Sequence, residues 1–269
     1  MHVTVKAPKR IEIDPYSSVA VRLTMMRDDL VLAHGSGFLW AEGHQLGVVT
    51  AWHCLTGTHP ETRRSLNPEK GARPNKIAVS LLMRDLGEGT ITIWLHGPES
   101  GDPMWRVHPL GSAEIDLAVI WVPNEAMPAD TMTTPANALT DSPLILHVGT
   151  DLFILGYPRN LHRFGLPIWK RASLATDIDA TLEEPGKRHL LVDTASRDGM
   201  SGALVIARNR GIAHFENKNM IAGGEYTRLV GVYTGRVGGA DDMAAQIGIV
   251  WPMRYVRELI SDGVPDDFV

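Results

Sequence analysis

The sequence predicts an all-β fold, and three observations predict it. Apolar runs rich in Val, Ile and Leu are short, turn-forming Gly, Pro, Asn or Asp lie between them, and helical periodicity is nearly absent until one segment close to the C-terminus. Repeated short strands with turn punctuation form antiparallel sandwiches or barrels.

In the first half the runs are SVAVRLTM (18–25), GFLW (37–40), LGVVTA (46–51), KIAVSLLM (76–83), TITIWL (90–95) and DLAVIWV (116–122). In the second they are LFILGY (152–157), HLLVDTA (189–195), ALVIA (203–207), RLVGVYT (228–234) and QIGIVW (246–251). After Pro252, MRYVRELI (253–260) puts Met253, Val256, Leu259 and Ile260 on one face, the mark of a short C-terminal helix. Residues 56–75, 97–114 and 123–143 lack a strand pattern and read as long loops. Loops of that length are uncommon unless they carry function. The first follows and the second precedes a candidate catalytic residue, so each reads as a cleft rim or as a plain surface insertion.

The 269 residues are enough for a well-buried core, and no internal repeat or low-complexity tract divides them. Hydrophobic content of 44% and charged content of 21% are those of a soluble globular protein. The net charge of -5 and the absence of a Lys/Arg block argue against nucleic acid as a partner. No stretch approaches the roughly 18 apolar residues that span a bilayer, so no membrane is expected. The segment MHVTVKAPKRIEIDPY (1–16) has no apolar core and no small-residue cleavage site, and does not read as a secretory signal. Cys54 is the single cysteine, which excludes an intramolecular disulfide and fits a reducing cytosol; the expected location is cytoplasmic. No H-x-x-x-H or clustered Cys/His spacing supports a metal site, and no cofactor is implied.

Three residues carry candidate chemistry. Ser201 lies in Arg197-Asp198-Gly199-Met200-Ser201-Gly202-Ala203, directly before ALVIA. Two glycines flanking a serine permit a tight turn that can aim the N–H groups of Gly199 and Ser201 at one point, as a tetrahedral oxyanion requires. Taken alone, the string also fits a Gly-Ser hairpin turn. His53 ends the β-rich run Val48-Val49-Thr50-Ala51-Trp52. At a strand end its imidazole can face a cleft and act as a general base near neutral pH, or it is simply a half-buried histidine. Asp116 opens Leu117-Ala118-Val119-Ile120. A carboxylate at the edge of a core needs a hydrogen-bond partner, which a histidine N–H would supply and an ordinary strand-start turn would also supply.

Together the three resemble one family in order as well as in type. TAWHC resembles the TAAHC motif of the trypsin/chymotrypsin superfamily, EIDLAVIWV its D-[IL]-A-[LV] motif, and DGMSGALV its GDSGGP motif. The order His, Asp, Ser, with gaps of 63 and 85 residues, is also that family's. GSGFLW (35–40), FILGYP (153–158) and IGIVWPMRYVREL (247–259) are similar to segments of the bacterial, HtrA-like and V8-like side of the superfamily. The resemblance covers residues 18–260. It implies two perpendicular six-stranded antiparallel β-barrels with a short C-terminal helix. Residues 1–143 would form the barrel half carrying His53 and Asp116, and residues 144–269 the half carrying Ser201. It further implies a serine endopeptidase acting on protein or peptide substrates through a His53–Asp116–Ser201 triad, an acyl-enzyme and an oxyanion hole at Gly199 and Ser201.

Departures from the family pattern matter too. Met200 stands where secreted trypsins carry the aspartate that pairs with a newly cleaved N-terminus, so control by other means is expected, through expression, loop ordering or, foremost, an activating protein partner. Cys54 matches a half-cystine without a mate and reads as a small buried hydrophobe. Ala203 replaces the second glycine after the serine. By resemblance, Ala195 lies at the base of the primary specificity pocket, with Tyr233, Thr234 and Gly235 on its wall. That predicts a neutral pocket, modified by the nearby charges Asp198 and Arg236, and no preference for Lys or Arg. An α/β-hydrolase is disfavoured, because a strand rather than a helix follows Ser201 and only His214 lies downstream. The other alternative is a catalytically silent binding or scaffolding module in a multi-protein stress or defence system.

Overall fold

Side-chain alternation explains the strands of the first half. The computed structural model describes residues 11–184, 188–216, 220–237 and 246–268. A 3₁₀ turn at Pro15–Ser18, capped by the Asp14 carboxylate, leads into β1 (Ala20–Arg27), β2 (Leu30–Glu42) and β3 (Gln45–Thr50). There follow the single-turn helix α1 (Trp52–Thr56), β4 (Lys76–Leu82), β5 (Glu88–Trp94), β6 (Trp105–Val107) and β7 (Ala118–Val122). In β5, Ile91 and Ile93 face inward while Glu88, Thr90, Thr92 and Trp94 face out, the two-residue period of a half-covered strand. β3 and β7 are buried on nearly every residue after their first turns, because the second half of the molecule covers their outer face.

The second half contains β8 (Asp151–Gly156), β9 (Ile168–Leu174), the short helix α2 (Ile178–Glu183), β10 (Leu190–Asp193), β11 (Ala203–His214), β12 (Met220–Arg236) and β13 (Ile247–Pro252). The helix α3 (Met253–Asp262) and the two-residue β14 (Val264–Pro265) are the last described elements. These strands close an antiparallel six-stranded barrel in the order β10-β13-β12-β11-β8-β9. The first half forms an antiparallel sheet ordered β14-β6-β7-β3-β2-β1-β4-β5. It has eight strands rather than the expected six: seven come from the first half itself, and the eighth is added where the last strand returns to it, pairing Val264 with Val107 at the β6 edge. The fold is all-β with two sheets and a C-terminal helix, a chymotrypsin-like double-β architecture.

Each half has its own apolar core, the first around Leu23, Leu39, Val79 and Trp105, the second around Ile154, Val192, Val205 and Tyr233. A third cluster joins them: Phe38, Val49, Ile115 and Leu117 from the first half meet Leu155, Leu204, Val232 and Trp251 from the second. α3 buries Met253, Tyr255, Val256 and Leu259 against this seam. The seam therefore holds the facing surfaces of the two sheets in a fixed relation.

Two local expectations are corrected, and one strand appears where none was anticipated. Residues 97–114 are not loop throughout, since Trp105 and Val107 are buried in β6; three residues are too few for alternation to stand out. The run ending at His53 stops as a strand at Thr50, and Trp52–Thr56 winds into α1 until Gly57, at φ 64°, ends the helix in the left-handed region. β9 carries Lys170 and Arg171 in its middle, which hides a strand whose pairing with β8 and β10 is needed to close the barrel.

Candidate active site

β3 and β7 are hydrogen-bonded neighbours, with Thr50 opposite Ala118. That register brings the residues just beyond them, His53 and Asp116, to the same end of the sheet. Asp116 is held between Ile115 and Leu117, both fully buried. Its carboxylate accepts twice from one residue: His53 Nδ1 lies 2.7 Å from Oδ2, and the His53 backbone N–H reaches Oδ1 at 3.1 Å. A carboxylate can only accept here, so Nδ1 carries the proton and Nε2 of the neutral ring is left as an acceptor. α1 has no side-chain cap; its first residue, fully buried Trp52, anchors it by donating its indole N–H to Asp266 Oδ2 at 2.6 Å.

Burial opposes a charge on His53, but the adjacent Asp116 carboxylate, aided by Cys54, outweighs it and holds the imidazole pKa well above its ordinary 6.5. The two side chains are 15% and 9% exposed, so water screens the pair weakly.

Ser201 sits in a turn pinned on several sides. The Arg159 N–H donates to Asp198 O at 2.6 Å, the Ser36 hydroxyl to Gly199 O at 2.7 Å, and the Ser36 N–H to Ser201 O at 2.8 Å. Peptide C=O and N–H groups point in opposite directions, so tying Asp198 O to Arg159 aims the Gly199 N–H the other way. Among the described residues, neither the Gly199 nor the Ser201 N–H has a hydrogen-bond partner. Gly199 has φ 88°, and a Cβ there would lie 2.4 Å from Tyr157 O; Gly202 has φ 87°, and a Cβ there would lie 2.0 Å from Ser36 O. Only glycine fits either position. The Ser201 hydroxyl itself donates to Thr234 O at 3.1 Å.

A family model described as a trypsin-like peptidase domain matches residues 35–212, a span that contains His53, Asp116 and Ser201. The chain belongs to the trypsin-like peptidase family. Among solved structures the peptidase is similar to the serine endoprotease from Yersinia pestis, at 13% identity and a TM-score of 0.51 over 93% of this chain and 66% of that one. It thus spans slightly less than two thirds of that protein's length. It is also similar to the active form of the Rv3671c protease from M. tuberculosis, at 17% identity and a TM-score of 0.49, over 94% of this chain and 84% of that one. At such identities the likeness is one of fold. No curated protein matches the sequence.

The peptidase has a cavity of about 810 Å³ that His53, Cys54, Gly199 and Ser201 all line. Of the six residues expected to bind substrate, Asp198 lines it, and Ala195, Tyr233, Thr234, Gly235 and Arg236 do not. Tyr233 is buried in the barrel core with its hydroxyl donating to Ser196 Oγ at 2.7 Å, and Thr234 meets Ser201 through its carbonyl. A Cβ on Gly235 would meet nothing within 4 Å, so space is open there. Met200 is buried in the second barrel's core and Cys54 is a free buried thiol with Sγ 3.7 Å from Ser201 O. Among the described residues no cluster of His, Cys, Asp or Glu could hold a metal, and no helix is long and apolar enough to cross a membrane.

Sequence reasoning did not single out Ser36 or the Tyr157–Asn160 turn. Ser36 is fully buried and also accepts the Tyr157 N–H at 3.0 Å, tying the two halves together beside the serine turn. Its signal was the GSG of GSGFLW. Arg159 and Asn160 adopt φ 52° and 59°, left-handed values that no local pattern of these residue types announces.

Proposed function

We propose that this peptidase is a serine endopeptidase in which His53, Asp116 and Ser201 form the catalytic triad. The observation that carries the reading is the doubly bonded His53–Asp116 pair, facing a cavity shared with Ser201 and the two unpartnered N–H groups of its turn. Ser201 Oγ attacks the peptide carbonyl carbon as His53 Nε2 takes its proton. The carbonyl oxygen becomes an oxyanion that the Gly199 and Ser201 N–H groups stabilise. His53 then returns the proton to the leaving amine as the C–N bond breaks, and water repeats the sequence on the acyl-enzyme. Asp116 holds the ring in the tautomer that leaves Nε2 free, and stabilises its charged form.

Control by a protein partner is part of the proposal. Met200 is packed into the core where a carboxylate would be needed to bind a new N-terminus, and the Ser201 hydroxyl must turn from Thr234 before it serves His53. A neutral primary pocket, protein or peptide substrates and a cytoplasmic location belong to the same reading. The Thr234 bond also favours a second reading, a silent binding module in a stress or defence assembly. One experiment separates the two. A fluorophosphonate probe should label the purified protein, alone or with a partner-containing extract, and should fail on Ser201→Ala. Failure to label the unaltered protein under either condition would establish the silent module.

A further inference from the structure

The cavity is lopsided about Ser201. In the reading above, the amine that leaves takes its proton from His53, so the residue after the cleaved bond must lie on the His53 side of the serine. The cavity opens on that side. Its walls beyond His53 are Met25 of β1, Leu32 of β2, Cys54 of α1, and Leu66 and Pro74 of the loop that follows. Met25, Leu32 and Cys54 are 3–4% exposed and form a fixed apolar surface, whereas Leu66 is 44% exposed at the rim. About 810 Å³ falls within the roughly 300–1,000 Å³ range of sites that enclose a small ligand, so a large side chain and its flanking backbone fit.

Beyond His53 the wall carries little net charge. Arg159 and Asp198 bear opposite signs and sit side by side, their backbones joined at 2.6 Å. His34 also lines the cavity, and burial together with the positive charges of Arg22 and Lys70 holds its imidazole below the ordinary value, so it offers no cation to an acidic side chain. The residues expected to form the primary pocket on β12 are absent from this cavity. We infer that it is the subsite for the leaving fragment, and that the enzyme selects substrates with a large, uncharged apolar residue directly after the cleaved bond. This rests on the serine-endopeptidase reading.

The test uses acyl transfer, because an amine that attacks the acyl-enzyme occupies the place of the amine that leaves. The protein is acylated with the p-nitrophenyl ester of N-acetylalanine, and leucinamide, glycinamide and aspartic acid α-amide compete with water for the acyl group. Leucinamide should capture it at least about tenfold better than glycinamide, the order expected of a fitted apolar pocket, and the aspartic amide no better than glycinamide. Leu66→Asp, a change at an exposed rim, should cut the leucinamide preference to threefold or less, and Met25→Ala should lower it as well. The ratio is read per acyl-enzyme and does not depend on how much of a variant is active. A nitrophenol burst with equal capture of leucinamide and glycinamide would overturn the subsite while leaving the peptidase reading intact. So would a preference undiminished in both variants. Absence of both burst and fluorophosphonate labelling would instead remove the peptidase reading, and this inference with it.

Discussion

Ser201 donates its hydroxyl proton to the carbonyl oxygen of Thr234, at 3.1 Å, while Nδ1 of His53 is held by Asp116 at 2.7 Å. The bond to Thr234 follows from topology: β11 pairs with β12, Ala203 opposite Tyr233, which places the serine turn beside the Thr234 carbonyl. Breaking one such neutral hydrogen bond costs about 0.5–1.5 kcal/mol net. That is at most about a tenfold population penalty, small enough for the serine-endopeptidase reading to tolerate.

Activity should rise with pH through a point above 6.5. A general base works unprotonated, and the Asp116 carboxylate holds the His53 pKa well above 6.5, so the half-maximal pH of kcat/KM lies above that value. Stability should run the other way. A group whose folded pKa is raised contributes fully below its unfolded pKa and loses that contribution as pH rises through the folded one. Ester hydrolysis and denaturant midpoints measured over the same buffers check both limbs; a rate profile already flat at pH 6.5 would contradict the pairing.

Asp116→Asn should reduce kcat by about 10⁴-fold, the magnitude known for the prototype of this family's triad. The amide keeps the volume but can donate to Nδ1, turning the proton onto Nε2 and leaving no acceptor for Ser201. Circular dichroism should be unchanged, and pre-steady-state acylation should show the loss.

Gly199→Ala should cost about 10²–10³ in kcat, the price typical of one lost oxyanion donor. The added Cβ would lie 2.4 Å from Tyr157 O at φ 88°, so the turn must shift and take the N–H with it. KM measured alongside kcat should change far less.

Asp266→Leu should destabilise the protein by about 2 kcal/mol or more. Its Oδ2 accepts from the buried indoles of Trp52, at 2.6 Å, and Trp105, at 2.8 Å, and each orphaned buried donor costs about 1–3 kcal/mol. Relief of Oδ1, which has no partner among the described residues, offsets part of that. Asp266→Asn keeps an acceptor and should lose less; urea midpoints compare the two.

Much of this was readable without coordinates. The strand runs from 18–25 to 246–251 all fall on observed strands, and MRYVRELI is the core of α3, because two-residue and 3.6-residue periodicities are written locally. His53, Asp116 and Ser201 stood out as candidates through their flanking motifs. β9 was not, since Lys170 and Arg171 interrupt its apolar pattern, nor was β14, which is exposed and two residues long.

By itself, then, the sequence determined the all-β class, the closing helix after Pro252 and the positions at which catalytic chemistry could sit. Tertiary structure decided what those positions do at rest. The serine hydroxyl faces Thr234, the 157–160 turn braces Asp198, and Asp266 returns across 214 residues to hold Trp52 beneath His53. The physical reason is range. Strand and helix periods arise from neighbours in the chain, whereas these bonds join residues whose proximity exists only once the two sheets have packed across their shared core.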